Sequence, residues 1–342
     1  MTCEAVTQRA ITDRNGLLIR MKNELSAVHE QIEEPADAAM MARICWYYFK
    51  EGQTQDAIAG RLKITRKRVN RILGDARESG MVQISIAGPT GPCYDLETKL
   101  VAKYGLRRAV VVPSPIVGTD VRSMVGAAAG QYVSDNLRPS AAIGISWGGT
   151  INAAVQNLKR RAGMGNRVVL LCGGLAESTL VNPYDNAAMM ARALDAKCYY
   201  ITAPMFAETP ELRDALVRSE PICGVLAMVP TLDLALLSAI DLSEQSKSLE
   251  YGVISRETWQ SLRDAGAVGD ICGHYLDEAG RPVEHSLTSR VVNPALNDLL
   301  QLSEIVLAAG GRQKTAIIRA AIRARLCHVL ITDEEVAMEL TV

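Results

Sequence analysis

Three glycine-containing loops carry residue types that can hold small anions or sugar hydroxyls. They are GISWGGT at residues 144–150, CGG at residues 172–174 and GGRQKT at residues 310–315. Glycines let a ligand approach the backbone closely, and the amides at a helix start favour an anion. The third loop also places the ammonium of Lys314 one turn into a helix, although it lacks the glycine that precedes the lysine of a Walker A motif. Each loop alone is more typical of a tight strand-to-helix turn.

A second group of chemically active side chains is cationic. Residues 43–77 hold nine Lys and Arg against three Asp and Glu, a net charge of +6, whereas the whole chain carries −1. A basic segment attached to an acidic body indicates a polyanionic partner for that segment alone. A solvated charged helix face would give the same pattern.

The spacing in EGQTQDAIAGRLKITRKRVNRILGDA, residues 51–76, predicts two short helices joined by a tight turn. Thr54 and Thr65 are placed to cap them, with Ile58 and Val69 on their inner faces. A preceding helix is expected to bury the backs of both with Ile44, Trp46, Tyr47 and Phe49.

This arrangement is typical of a helix-turn-helix domain, whose second helix enters the major groove of DNA. A charged dimerisation bundle is the alternative. The residues expected to contact DNA are Thr54, Gln55, Thr65, Arg66, Lys67, Arg68, Asn70 and Arg71.

The rest of the chain must position the three loops. Helices are predicted at 118–137, 150–161, 184–195, 209–218 and 312–325, and apolar strands at 109–112, 141–145, 167–172, 198–202, 224–229, 304–309 and 327–332. Apolar strands separated by helices are typical of a parallel sheet covered on both faces, in which ligands bind at the carboxyl ends of the strands. A hairpin around residues 277–280 is predicted to interrupt this alternation.

Composition limits the class of protein. The chain has 342 residues, of which 48% are apolar, enough for about two domains of roughly 150 residues each. No two of the eight cysteines lie closer than 25 residues in the sequence, so we expect buried free thiols, no metal and no cofactor. Because there is neither a signal-peptide pattern nor an apolar run of ~20 residues, we expect a cytoplasmic protein with no membrane partner.

The predicted organisation has three parts. An N-terminal arm spans residues 1–37, an all-α helix-turn-helix domain spans 38–88, and an α/β ligand-binding domain with a parallel sheet spans 93–342. The break is the stretch GPTGP at residues 88–92, which cannot continue a helix or a central strand.

The segment YYFKEGQTQDAIAGRLKITRKRVNRILGDARESGMVQI resembles the DNA-binding segment of SorC/DeoR-type sugar-responsive bacterial transcriptional regulators, polyol and erythritol types included. GISWGGT, LLCGGL, AGAVGDICGHYLDEAG, AAGGRQK and LITDEEVA resemble segments of the same family's effector domain, so the likeness covers roughly residues 40–342. Lys63 is a departure, because the family has glycine in this turn. A left-handed lysine costs roughly 1 kcal/mol, so we expect a slightly distorted turn.

The resemblance implies a sugar-isomerase-like fold without catalysis, a sugar, sugar-phosphate or polyol effector, and a homotetramer or at least a dimer. It implies that the protein binds operator DNA, as a repressor or an activator, to control a carbohydrate catabolic operon. In that family's pattern Asp270 would accept sugar hydroxyls and Lys314 would neutralise a phosphate. The remaining effector contacts implied are Ser146, Trp147, Gly148, Gly149, Thr150, Gly173, Gly174, Asn182 and Asp185.

Two enzymatic interpretations stay open from the residues alone. The sequence around Ser146 fits the G-x-S-x-G nucleophile elbow of α/β-hydrolases, with His274, His285 or His328 as the base. A sugar-phosphate isomerase with an accessory DNA-binding module could instead use Asp270 as its base.

Overall fold

The computed structural model describes residues 38–82, 91–114, 120–176 and 182–342. The chain divides into two compact units, Met1–Ile84 and Ser85–Val342. The predicted arm at 1–37 lies outside the described residues. Of the proposed break at 88–92, the structure describes only Gly91 and Pro92. These two residues are the first residues of a helix.

The first unit is a three-helix domain. Helix α1 occupies residues 38–45 and continues as a wider π-helical turn, Trp46–Lys50. Helices α2 and α3 are Gln55–Leu62 and Arg66–Glu78. The predicted caps are confirmed, since the Thr54 and Thr65 hydroxyls accept hydrogen bonds of 3.2 Å from the amides of Ala57 and Arg68.

The small core of this unit contains Ile44, Ile58, Val69 and Leu73, all buried. The prediction that Trp46 joins this core is wrong, because its side chain is 58% exposed. Each residue of a helix is rotated by about 100° from the one before it. Because Ile44 faces inward, Trp46, which is two residues later, faces solvent.

The turn between α2 and α3 begins with one residue in the left-handed conformation, which is a common way for an α-helix to end. Lys63 has φ 53° and ψ 42°, and its amide donates to the carbonyls of Ala59 and Gly60. The expected distortion is therefore absent, and the lysine itself adopts the left-handed conformation.

The second unit is built on a seven-stranded parallel sheet. In sheet order its strands are β1 Arg108–Val112, β10 Val329–Asp333, β9 Ile305–Ala308, β5 Leu234–Leu237, β2 Ala142–Ile145, β3 Arg167–Leu170 and β4 Lys197–Tyr199. A smaller antiparallel sheet contains β6 Ala239–Asp241, β7 Gly269–Ile271 and β8 His274–Leu276. The predicted parallel sheet is confirmed.

Helices cover both faces of the large sheet, over two extensive apolar cores. They are α4 Gly91–Tyr104, α5 Val121–Asn136, α6 Gly149–Gln156, α7 Pro183–Leu194, α8 Pro210–Arg218, α9 Glu220–Leu226, α10 Lys247–Glu250, α11 Arg256–Asp264, α12 Leu296–Leu300, α13 Thr315–Arg323 and α14 Glu334–Thr341. Single 3-10 turns occupy Val229–Thr231, Thr288–Arg290 and Arg312–Lys314.

One predicted strand is wrong. Residues 224–229 end α9 and begin a 3-10 turn, and the neighbouring strand is β5. A short apolar run does not separate a strand from a buried helix, and here Pro221 stands in the first turn of α9, where its fixed φ favours a helix.

The predicted hairpin around residues 277–280 is confirmed, because Leu276 and Pro282 pair antiparallel across that turn, and a second hairpin stands directly before it. The strands of the second hairpin, β7 and β8, turn at Cys272 and Gly273, where both residues have positive φ. The expected turn at 277–280 is closed by a 2.9 Å bond from the Gly280 amide to the Asp277 carbonyl. Asp270 therefore lies in the middle of a strand.

The left-handed lysine generates a stability prediction. Lys63→Gly removes the steric cost and should stabilise α2 and α3 by about 1 kcal/mol, that is, slow their amide exchange about fivefold. Hydrogen exchange of the full chain measures this. Lys63→Ala is the matched control, because it loses the same charge but keeps a Cβ. Equal exchange rates in the two variants would contradict the account.

Candidate functional site

Two loops at the carboxyl edge of the parallel sheet and one strand of the smaller sheet carry the predicted polar groups. The loop after β2 carries residues 146–150, β7 carries Asp270 and the loop after β9 carries Lys314. Strand β2 lies between β3 and β5, and the chain leaves β2 and β5 in opposite directions across the sheet. A crevice opens at such a switch point in α/β proteins.

The loop after β2 is held rigidly and ends in a helix start. The Ser146 hydroxyl accepts a 3.0 Å hydrogen bond from the amide of Ser238, which follows β5. Gly148 has φ 118° and precedes the first turn of α6, a conformation that side chains rarely adopt. The Thr150 hydroxyl is buried and has no hydrogen-bond partner among the described residues, so it is available to a ligand.

Lys314 supplies a buried cation. It is 7% exposed, and no hydrogen bond or ion pair joins its Nζ to the described part of the chain. Burial lowers the pKa of Lys314, while the nearby Asp241 carboxylate opposes that shift and Arg122 adds to it. An ammonium in this position gains most from an anion that enters the crevice.

The loop that carries Lys314 is fixed by a carboxylate. Asp333 caps α14 and also accepts a 2.6 Å hydrogen bond from the Gly311 amide. A Cβ at Gly310 would lie 2.7 Å from that carboxylate, so glycine is required for this approach.

Asp270 supplies a buried carboxyl group. Its Oδ2 accepts a 2.8 Å hydrogen bond from the Gly273 amide. Burial raises the pKa of Asp270 to about 7, although the Gly273 amide and Lys314 act in the opposite direction. The group therefore changes between hydrogen-bond donor and acceptor near neutral pH.

Asp270 faces a small enclosed cavity of about 10 Å³, room for about one water molecule. Its walls include Trp147, Cys172, Tyr275 and, from the segment around α10, Ser248 and Val253. A sugar or polyol requires these walls to move apart.

Sequence reasoning missed Arg122. A Cβ at Gly149 would lie 3.3 Å from its guanidinium, which places this cation at the start of α6. Arg122 pairs with Asp120 at 2.6 Å, and the Asp120 and Tyr251 side chains raise its pKa. The sequence signal that could have identified it is a cation in the first turn of α5, the helix that follows strand β1 of the same parallel sheet.

The second glycine loop has a packing role. The amides of Gly173 and Gly174 donate to the carbonyls of Val292 and Ala203, so neither is offered to an anion. A Cβ at Gly174 would lie 2.0 Å from the Tyr184 ring.

The two polar residues predicted after that loop, Asn182 and Asp185, also interact within the chain. Asn182 caps α7 through the Tyr184 amide and donates to the Leu175 carbonyl. Burial raises the pKa of Tyr200, and the carboxylate of the exposed Asp185 adds to that shift. The structure therefore gives Asn182 a local structural role and places the Asp185 carboxylate near Tyr200.

The geometry does not assemble a hydrolase triad. No hydrogen bond joins Ser146 to a histidine among the described residues. His274 contacts the Pro294 carbonyl, His285 contacts Ser261, and His328 accepts from the Ile305 amide.

The helix-turn-helix unit exposes the predicted DNA contacts. Lys67, Arg68 and Arg71 are exposed on α3. Arg66 lies 3.5 Å from Asp56, and Gln55 donates to Asn70 across the two helices at 3.3 Å.

Comparison with known proteins agrees with this architecture. Residues 89–341 match the family model described as "Putative sugar-binding domain". The erythritol catabolism regulatory protein EryD of Brucella abortus is 29% identical over 89% of this chain and 97% of its own length. The transcriptional regulator LsrR of Klebsiella pneumoniae is 31% identical over 88% of this chain and 92% of its own. The full-length sorbitol operon regulator SorC of Klebsiella pneumoniae superposes with a TM-score of 0.70 at 26% identity, covering 90% of this chain and 99% of that one.

A helix-turn-helix unit joined to a ligand-binding α/β unit defines a ligand-responsive transcriptional regulator. The chain belongs to the SorC/DeoR-type family of sugar-binding transcriptional regulators. The relatives named are regulators, so the regulator interpretation is confirmed over the hydrolase and isomerase alternatives. Within the described residues, none of the helices has the length and apolarity to cross a bilayer.

The raised pKa of Asp270 predicts how stability depends on pH. The folded protein keeps this proton up to about pH 7, whereas the ordinary value for the unfolded chain is 3.8. This group's contribution therefore makes the free energy of unfolding fall as pH rises between these values, by up to about 1.4 kcal/mol per pH unit. Asp270→Asn removes that fall.

Urea denaturation of both proteins at pH 4.5, 6 and 7.5 measures the effect. The stability of the variant relative to the native protein should increase with each step. A difference that stays the same at all three pH values would contradict the burial argument.

Proposed function

We propose that this protein is a cytoplasmic regulator of a carbohydrate catabolic operon. A sugar, sugar phosphate or polyol bound in the second unit sets its affinity for operator DNA. The observation that carries the proposal is the buried Lys314 ammonium, which has no bonded partner among the described residues and lies near the Asp270 carboxyl group.

The two ends of the crevice suit different parts of one ligand. We assign a phosphate or another anionic group to the end that holds the Lys314 ammonium and the start of α6, beside the ion pair of Arg122 with Asp120. Asp270 and the Tyr275 ring line the other end, where a carboxyl group and an apolar wall suit hydroxyls and a carbon chain.

The first unit would bind the operator through α3. Its inner face packs on the core through Val69, Ile72 and Leu73, which leaves Lys67 and Arg71 on the opposite, solvent-facing side. Arginine and asparagine on such a helix can contact base edges, and the remaining cations contact phosphates.

Ligand binding alters operator affinity only if the ligand favours one arrangement of the protein. The closed cavity gives a physical basis for this requirement, because its walls must separate to admit a sugar. Movement of these walls is the change that we propose is passed to the DNA-binding unit.

A thermal-shift screen of neutral sugars and polyols and their phosphates tests the ligand site, since a ligand raises the melting temperature by mass action. Lys314→Met should weaken the binding of a phosphorylated ligand by about tenfold or more, because it removes a hydrogen bond to a charged group. The binding of the neutral parent sugar or polyol should weaken much less. Asp270→Asn should weaken both, because hydroxyl recognition is shared.

Lys99→Met, on the exposed surface of α4, is the matched control and should bind like the native protein. An unchanged ligand response in both site variants would overturn the proposed pocket.

We also propose that the protein is a homo-oligomer. A palindromic operator is read by two helix-turn-helix units about one helical turn apart, so we expect at least a dimer, and the family favours a tetramer. Sedimentation velocity at micromolar concentration without DNA should give a dimer or tetramer. A monomer there would contradict this expectation.

A further inference from the structure

The first turn of α2 reaches across to the exposed side of α3. The Gln55 side chain Nε2 donates a hydrogen bond of 3.3 Å to Asn70 Oδ1. One residue further along α2, the Asp56 carboxylate lies 3.5 Å from the Arg66 guanidinium. Two side chains of α2 therefore contact two of the residues on α3 that are predicted to meet DNA.

The ion pair and the amide pair differ in how strongly they restrict the side chains of α3. The side chains of Arg66 and Asp56 are 67% and 70% exposed, and ion pairs so exposed to water and salt contribute little. The amide pair is also on the exposed surface, but it joins two neutral groups with directional donors and acceptors and depends little on salt. It restricts the rotation of the Asn70 amide without a change in charge.

Counting donors and acceptors shows what the pair leaves for a ligand. An amide oxygen has two lone pairs, and an amide nitrogen has two N–H groups. With one lone pair of Asn70 Oδ1 occupied by Gln55, the second lone pair and both Nδ2 hydrogens remain. Asn70 therefore still offers one acceptor and one donor side by side.

That edge matches one base in the major groove. Adenine presents the N6 amino group as a donor next to the N7 acceptor, and asparagine binds both. Guanine presents two acceptors, N7 and O6, so the oxygen of Asn70 would face an acceptor. Gln55 keeps a second N–H, which can donate to a neighbouring phosphate oxygen.

We propose that Gln55 and Asn70 act as one unit that reads an A·T base pair, with Asn70 on adenine and Gln55 as the residue that positions it. This inference rests on the proposed function and deepens it, because it assigns base identity to one position in each half-site. An amide that is already oriented loses less side-chain entropy when it binds.

The test uses the full-length protein and a pool of DNA duplexes with a randomised central region. Selection with the native protein defines a preferred sequence, and competition then measures each base pair. Asn70→Ala and Gln55→Ala should each reduce the preference for adenine at the same position by about tenfold, as expected for one bidentate contact. The double variant should lose no more than either single variant, because the pair acts as a unit.

Two further arms separate positioning from general damage. Replacing that adenine by 7-deazaadenine removes the N7 acceptor, so it should weaken the native protein but not the two alanine variants. Gln55→Glu keeps the size of the side chain but loses the donor, and it should behave like Gln55→Ala.

Gln53→Ala is the matched control. Gln53 donates to Glu51 rather than to α3, so this variant should keep the native preference. Circular dichroism melting identifies any variant that fails to fold. If Gln55→Ala does not fold, the base preference of Gln55→Glu still tests the positioning role, with Gln53→Ala as its control.

The possible results distinguish a failure of the proposed DNA-binding function from a failure of the proposed role of Gln55 and Asn70. If the native protein enriches no sequence from the pool, the proposed function fails. If it enriches a sequence but Gln55→Ala and Gln55→Glu keep the preference that Asn70→Ala loses, the positioning role is overturned. A preference for guanine at the position read by Asn70 would overturn the assignment of the base.

Discussion

The second unit depends on one electrostatic constraint, a lysine ammonium buried without a bonded counter-ion among the described residues. Removing an isolated charge from water is strongly unfavourable. Here the Asp241, Asp120 and Asp270 carboxyl groups compensate for the burial without a direct bond to the ammonium. The parallel sheet makes this possible, because the carboxyl ends of β2 and β9 place a helix start and Lys314 at one edge. The same burial raises the pKa of Asp270, so the region beside the sheet edge holds two groups that gain stability from a polar ligand.

The two units use charge in opposite ways. On α3 the cations are exposed and numerous, which suits a phosphate backbone bound through many weak, salt-dependent contacts. Beside the carboxyl edge of the large sheet the Lys314 cation is buried, which suits one small ligand bound in a defined orientation. A single chain that contains both can couple the concentration of a small molecule to the occupancy of DNA, provided that ligand binding shifts the arrangement of the protein.

Residues with a strong local signal were predictable from the sequence. Thr54 and Thr65 act as caps, and six of the seven predicted strands exist because their apolar runs lie between clear helical segments. Contacts between residues distant in the sequence were not predictable, as at Gly174, where a side chain would collide with the Tyr184 ring. Arg122 was missed because its position beside Gly149 depends on the approach of α5 to the start of α6, which sequence spacing does not encode.

We propose that the ligand site and the DNA-binding unit are coupled. Thermodynamic linkage requires that a ligand and an operator alter each other's affinity by the same factor. The decisive measurement uses a duplex selected by the native protein and the ligand that gives the largest thermal shift. The affinity for DNA is titrated with and without ligand, and the affinity for ligand with and without DNA. The account predicts equal factors, both different from one, in the native protein. Two independent affinities, each unchanged by the other partner, would contradict it.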